Sequence, residues 1–563
     1  MTWLGLQRVA DSSVAKSCRN TSARIFTNIG LPVMSKDDWW RGSVTYQIYP
    51  RSFMDDSGNG IGDLKGITRK LDYVASLGVD AIWLSPVFTS PIKDMGYDVS
   101  DYTDIDPLFG TIDDFDALLD RAHDLGLKVI IDQVISHSSD QHPYFQESRQ
   151  SRTNPKNDWY VWADSKPDGS PPNNWLSVFG GPAWTWDTRR KQYYMHNFLT
   201  SQPDWNFHNP EVQQYLLETM EFWLRRGVDG FRLDTANFYF HDALLRDNPA
   251  NYLDWGPDAA RPVDRQYALF SKSQPENLAF LQKLRALLDR YDARTTVGEV
   301  GDTHRGIELM GQYTSGQRLH MAYSFDLLGP DYSPDHFRNS IEDFFSGAPE
   351  GWPCWAFSNH DVSRHVGRFL AHGASQDELA KQAAALLLTF QGSICLYQGE
   401  ELGLIDTELE FEELTDVQGI AFWPEPVGRD NCRTPFPWKK NAANGGFSSA
   451  NETWLPVKEP TKARAVDQQE DDPDSVLNFY RALLKLRSEN EDLRTGEQRF
   501  IDCTDTLLSY SRGNGFECHF NLSPEPTLIE IKKLGDVVIS QNAVLSDFKL
   551  DLGPSGFAVL RTG

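Results

Sequence analysis

The chain is short of three things, and each shortage closes a class of function. Its six cysteines (Cys18, Cys354, Cys395, Cys432, Cys503 and Cys518) are scattered, with no C-x-x-C pair and no zinc spacing, which excludes a disulfide-stapled scaffold and a zinc module. Cys354 and Cys395 fall inside apolar strands, where a reduced buried thiol is usual, so a reducing, cytoplasmic compartment is expected. Basic charge is scarce: 54 Lys and Arg stand against 80 Asp and Glu, for a net charge of −26. Such a surface repels phosphate backbones and anionic lipid, so neither nucleic acid nor membrane is an expected partner, and a small neutral substrate is. Long apolar runs are missing too. No stretch approaches the roughly 18–20 residues of a spanning helix. Residues 1–33 are rich in Ser, Thr and Arg and lack the apolar core of a secretory signal. They read as an extension outside the fold, and Met34 is an equally good start.

What remains is an ordinary globular composition, 40% hydrophobic and 24% charged, long enough for a large domain with satellites. From Val44 onward short apolar strands alternate with amphipathic helices. The strands are VTYQIY (44–49), VDAIWL (79–84), LKVIID (127–132), VDGFRLD (228–234), RTTVGE (294–299), HMAYSFD (320–326), CWAFSN (354–359) and SICLYQ (393–398). Patterns such as FDALLDRAHDLG and VQQYLLETMEFWLRRG lie between them. Eight such units predict an α/β fold, a (β/α)₈ barrel whose active site lies at the C-terminal ends of its strands. Two gaps are too long for simple connections. The implied organisation is an extension (1–35), a first barrel part (36–137), an inserted small domain (138–204), a second barrel part (205–494) whose 399–470 insertion walls the barrel mouth, and a C-terminal β-sandwich (495–563).

Polar residues gather at one end of these strands: Asp132 and His137 after the third, Arg232 and Asp234 at the fourth, Glu299 at the fifth, Asn359-His360-Asp361 at the seventh. Residues two apart on a strand share a face, so Arg232 and Asp234 point the same way. A single strand-end ion pair is unremarkable, but stability gives no reason to converge so many carboxylates on one mouth. The 17 Trp, 20 Tyr and 32 Phe supply rings suited to stacking on sugars as well as to core.

IDQVISH (131–137), GFRLDTAN (230–237), VGEV (297–300) and FSNHD (357–361) resemble the four signature regions of the α-amylase family, glycoside hydrolase family 13. QPDWN (202–206), GYDVSDY (96–102), FGGPAW (179–184) and GRDNCRTPFPW (428–438) resemble its oligo-1,6-glucosidase and α-glucosidase subfamily. The resemblance implies an exo-acting, retaining α-glucosidase with some transglucosylation, a monomer or small homo-oligomer, without an organic cofactor. Asp234 would be the nucleophile, Glu299 the general acid/base and Asp361 the third carboxylate. Asp98, His137, Phe179, Arg232, Thr235, His360 and Arg429 form the implied substrate-binding set, with Asp98 and Arg429 clamping the terminal glucose and Arg232 keeping Asp234 ionised. Phe179 either stacks on sugar or packs the insertion. Trp205, where the subfamily usually has a smaller aliphatic residue, either reshapes the pocket wall or packs the insertion.

Thr235 should point away from Asp234 and still line the pocket near the leaving sugar, its hydroxyl tilting preference toward α-1,4 over α-1,6 bonds. In DDSGNGIGD (55–63), Asp55, Ser57, Asn59, the Ile61 carbonyl and Asp63 have the spacing of the first part of a calcium loop, and one structural calcium or magnesium is expected. The competing readings are a sucrose- or α-1,3-preferring relative and a non-catalytic sugar-binding homologue.

Overall fold

The computed structural model describes residues 38–252, 261–370 and 373–563, so the proposed extension lies outside the described residues. Eight parallel strands, β1 (Val44–Ile48), β2 (Ala81–Leu84), β3 (Lys128–Gln133), β4 (Gly230–Leu233), β5 (Thr295–Val300), β6 (Met321–Ser324), β7 (Cys354–Trp355) and β8 (Ser393–Tyr397), pair in the order β6-β5-β4-β3-β2-β1-β8-β7. A single parallel bridge, Ala322 to Pro353, joins β6 to the start of β7 and closes the cylinder. The expected (β/α)₈ barrel is therefore present, each strand at its expected place.

The strands are buried throughout, as parallel strands covered by helices must be. Their two-residue alternation sorts two cores. Ile82, Leu84, Val129, Ile131, Phe231 and Leu233 pack outward against the helical layer. Trp83, Ile130, Val297, Met321 and Tyr323 fill the barrel axis. The axial series turns polar toward the C-terminal ends, where Asp132 follows Ile130 on β3, Glu299 follows Val297 on β5, and Arg232 of β4 is paired with Asp132 and Val297.

The helices carry their own start and stop signals. α1 (Leu64–Leu77) begins with Asp63 accepting from the Gly66 N–H and ends at Gly78, whose φ of +90° an L side chain rarely adopts. α2 (Ile112–Asp124) opens with a Thr111–Asp114 capping box. α3 (Pro210–Arg226) is capped by Asn209 and stopped by Gly227. The outer ring is completed by α4 (Asn277–Leu288), α5 (Gly306–Thr314), α6 (Pro334–Gly347), α7 (Gln376–Thr389) and α8 (Val476–Ser488).

Three additions surround the barrel. After β3 a three-stranded antiparallel sheet (Trp162–Ala163, Gln192–Met195, Trp184–Asp187) packs a small core of Trp175, Trp184 and Met195. After β8 a run of turns and short helices crosses the mouth. The C-terminal domain is a six-stranded antiparallel sheet whose long ribbon, Asp536–Ser546 with Lys549–Arg561, bends at two register shifts and encloses its own apolar cluster.

Gly230 opens β4 because nothing larger fits: a Cβ there would lie 2.5 Å from the Thr295 carbonyl oxygen of β5. Gly230→Ala should therefore cost about 1–3 kcal/mol through overpacking. A melting curve should fall by several degrees, and an unshifted curve would show that the β4–β5 contact yields freely.

Candidate active site

The converging residues form one connected site around Arg232, whose side chain is 0% exposed. Its Nη1 meets Asp132 Oδ1 at 2.9 Å and Asp234 Oδ1 at 2.7 Å, and its Nη2 meets Glu299 Oε1 at 2.6 Å. Tyr323 accepts from Arg232 and donates its hydroxyl to Glu299 Oε1 at 3.0 Å. Asp132 is held further by Trp83 Nε1 and the Tyr97 hydroxyl. Arg232 thus lies beneath the sugar site and contacts carboxylates. Counting it in the substrate-binding set is corrected, because it is absent from the cavity wall.

One guanidinium cannot compensate three buried carboxylates. Burial pushes both Asp234 and Glu299 up to about 7, against the opposing pull of Arg232. Burial likewise raises Asp132 to about 6. The expectation that Arg232 keeps Asp234 ionised holds in direction only: its charge lowers both central carboxyls, and burial outweighs it. Asp361 differs. Burial disfavours its charge, but His360, Arg433 and Arg429 outweigh that and hold it well below the usual carboxylate range. Arg433 Nη2 lies 2.9 Å and Arg429 Nη1 3.4 Å from Asp361 Oδ1.

The aspartate that pairs with Arg429 is a different one from that expected. Asp98 is fully buried; its carboxylate accepts the Lys93 and Asp94 N–H groups and the Ser90 hydroxyl, and it does not reach the cavity. It shapes the turn that projects Asp94. Asp94 Oδ1 is the atom that meets Arg429 Nη2, at 2.9 Å, and Asp94 lines the cavity. Asp416 grips the same guanidinium through Nε and Nη2. Gln202, from the QPDWN stretch, donates to Asp94 Oδ2.

The two histidines are held neutral by burial, His137 at about 4 and His360 well below its ordinary value. His137 lines the cavity, with Nδ1 beside Ser136 Oγ and Nε2 beside the Tyr97 carbonyl. His360 sits one layer deeper and is not part of the wall. It stacks on Tyr97 with ring centroids 5.3 Å apart and bridges Gln47, Tyr97 and Asp361.

Phe179 lines the cavity and lies 4.9 Å from the Arg429 guanidinium, backing the clamp. Trp205 is packing: it is 1% exposed, stacks on Tyr160 at 4.3 Å and donates to the Tyr102 hydroxyl.

Thr235 departs from strand alternation. Its φ of +41° is left-handed, an outlier for a β-branched residue and characteristic of functional sites. The side chain consequently turns back toward the nucleophile instead of away, with Oγ1 at 2.9 Å from Ser136 Oγ and 3.3 Å from Asp234 Oδ2. Its N–H donates to Glu299 Oε2 at 2.9 Å.

The 55–63 loop closes on itself. Asp55 accepts from Ser57 Oγ, Gly58 N, Gly60 N and Ser448 Oγ, which takes both of its oxygens. Asp63 accepts from the Asp56, Ser57 and Gly66 N–H groups, and Asn59 Oδ1 from the Ile61 N–H. In this arrangement both carboxylates of the loop accept from the chain's own donors. Among the described residues no group of three or more His, Cys, Asp or Glu side chains is placed to hold a metal.

The cavity itself measures about 370 Å³. Asp94, Arg429, His137 and Tyr97 form one part of its wall, Asp234, Glu299 and Asp361 another, and residues 261–273, 301–305 and Phe325 a third. Comparison with known proteins agrees with this geometry. Residues 47–496 match the family model for the α-amylase catalytic domain. The chain is 56% identical over 504 residues to a probable α-glucosidase of Rhizobium meliloti (strain 1021), covering 88% of this chain and 91% of that one. It is 37% identical over 502 residues to an oligo-1,6-glucosidase of Heyndrickxia coagulans, covering 82% and 88%. The crystal structure of an α-glucosyl transfer enzyme aligns with a TM-score of 0.88 at 50% identity, over 93% of this chain and 99% of that one. The chain therefore belongs to the α-amylase family, glycoside hydrolase family 13. Within it, the protein is a glycoside hydrolase of the α-glucosidase subfamily, acting on a small sugar.

Two measurements check the site. Asp94→Ala should lower kcat/KM by roughly tenfold or more, the loss expected of a charged contact, at a near-normal melting temperature. Asp98→Ala should instead lower stability by about 1–3 kcal/mol as its turn loses an acceptor; the reverse pattern would restore Asp98 to the clamp. The pH profile of kcat/KM should be a narrow bell near neutrality. Below it the pair gains a second proton and loses the nucleophile, and above it the pair loses its only proton and the acid. A flat profile from about pH 5 to about pH 9 would contradict a shared proton.

Proposed function

We propose that the protein is an exo-acting, retaining α-glucosidase that releases glucose from the non-reducing end of short α-glucosides and also transfers glucose to acceptors. The observation that carries this reading is the Arg429–Asp94 pair in the same cavity wall as Asp234 and Glu299. Such a clamp, fixed by Asp416, would stop a chain from extending past a terminal glucose, which is what exo action requires.

The chemistry follows from which oxygens are free. Asp234 Oδ1 is held by Arg232, whereas Oδ2 has only the long Thr235 contact and is the oxygen presented to the anomeric carbon. In the first displacement the bond from Oδ2 to the anomeric carbon forms and the glycosidic bond breaks. The leaving oxygen takes the proton from Glu299 as it departs. In the second, Glu299 takes a proton from water or an acceptor hydroxyl, whose oxygen displaces Asp234. Two inversions restore the α configuration. Asp361, ionised and held by two arginines, stabilises the oxocarbenium-like transition state through the sugar hydroxyls. On the leaving-group side the wall sets Phe198, Phe238, Tyr267, Leu269 and Phe325 among polar groups such as Gln266 and Lys272, and the rings, which order little water, favour transfer. The α-1,4 preference is expected to be mild, since the Thr235 hydroxyl is already engaged by Ser136 and Asp234.

Glucose first released from maltose should be the α-anomer by NMR, and Asp234→Asn should lower turnover by roughly 10⁴-fold or more. Initial β-glucose, or near-normal activity in a folded variant, would refute the mechanism. Maltose should be cleaved faster than isomaltose by a factor of about 2–13, the worth of one hydrogen bond.

A further inference from the structure

Between β4 and α4 the chain makes an excursion whose last part, residues 261–273, lines the cavity, and it delivers one ammonium group there, that of Lys272. The side chain reaches across the loops that follow the two central carboxylates. Its Nζ donates to the carbonyl of Gly301, two residues after Glu299, at 2.5 Å. It also lies 4.8 Å from the ring centroid of Phe238, four residues after Asp234.

The other cations of this wall differ from it. Arg261 is paired with Asp264 and Arg305 with Glu308. Lys272 makes no ion pair among the described residues. An ammonium has three donors, and the Gly301 carbonyl takes one. Burial lowers the basicity of the group, whose side chain is half-buried at the cavity wall. Asp302 and Asp264 act on the ammonium without an ion-pair contact, and the carbonyl that Lys272 bonds is already served by Asn237 Nδ2 at 3.3 Å. A strap to that carbonyl alone would not need a charged, four-carbon side chain placed in the wall of a sugar cavity.

We infer that Lys272 is a specificity-determining residue whose unspent N–H donors bind a hydroxyl of the leaving sugar, or of the sugar acceptor in transfer. The inference rests on the α-glucosidase reading. A charge-assisted donor in this part of the wall rewards a hydroxylated leaving group over a bare ring, and it does so in both directions of the glucosyl transfer. Phe238 beneath the ammonium holds it in place through its ring face.

The test compares the full-length enzyme and Lys272→Met on maltose and on phenyl α-glucoside, whose leaving group carries no hydroxyl beyond the glycosidic oxygen. The ratio of kcat/KM for maltose to that for phenyl α-glucoside should fall by roughly tenfold or more in the variant, the loss expected of a charged hydrogen bond, chiefly through KM for maltose. Lys272→Arg should keep most of the ratio, and Lys272→Gln, the alternative if the Met variant does not fold, should lower it in the same direction. A ratio unchanged while both rates fall together would make Lys272 a strap for the Glu299 loop and overturn the inference alone. A wild-type enzyme inactive on both substrates would overturn it together with the α-glucosidase reading.

Discussion

Everything at the mouth of this barrel is arranged around one buried guanidinium. Arg232 projects from β4 into a space where Asp132, Asp234 and Glu299 arrive from three adjacent strands. Without the cation those carboxylates would face one another in a low dielectric, and no fold would hold them ionised. With it, each takes a fixed direction, because a planar fork offers bonds only along its N–H vectors. The order then spreads outward: Asp132 fixes Tyr97, Tyr97 fixes His360, and His360 reaches Asp361. The third carboxylate is thereby registered to the first two through a chain of buried polar contacts.

The site contains two charge clusters with opposite outcomes. Around Arg232 three carboxylates share one cation, so burial wins and a proton remains on the central pair. Around Arg429 and Arg433 a second cation is present, and Asp361 and Asp416 stay ionised, although Asp416 is as buried as Asp132. A glycosidase needs both results within one cavity, a proton to give away and a permanent negative charge near the developing oxocarbenium. Unequal numbers of arginines supply them.

Much of this was legible in the sequence because it rests on periodicity. The barrel follows from alternation of strand and helix, and Asp132, Arg232, Asp234 and Glu299 follow from the two-residue repeat of each strand. What failed lies in the turns. Asp94 and Asp98 are four residues apart in one loop, and only the hydrogen bonds of the turn decide which carboxylate is spent on the backbone and which faces the sugar. Strand logic also misdirected Thr235, since its left-handed φ suspends the alternation at that one residue. Trp205 and Lys272 depend on which neighbours the inserted segments bring, information carried by tertiary packing and not by local pattern. The loop at 55–63 has a cation's spacing and yet spends its oxygens on its own N–H groups.

The barrel is not equally strong around its circumference. β1 to β5 share registers of four residue pairs with each neighbour, while β7 is two residues long and meets β6 through the Ala322–Pro353 bridge alone. This weak seam separates the strands carrying Asp132, Asp234 and Glu299 from the strand that leads to Asp361. The nucleophile and acid are therefore built on the stiff arc of the cylinder, while the sugar-gripping carboxylate hangs from its loosest edge and is anchored instead by arginines from the roof. A small opening of the seam would carry Asp361 away from the reaction centre without disturbing the pair that breaks the bond. The molecule has in this way separated the part that must not move from the part a departing glucose has to push past.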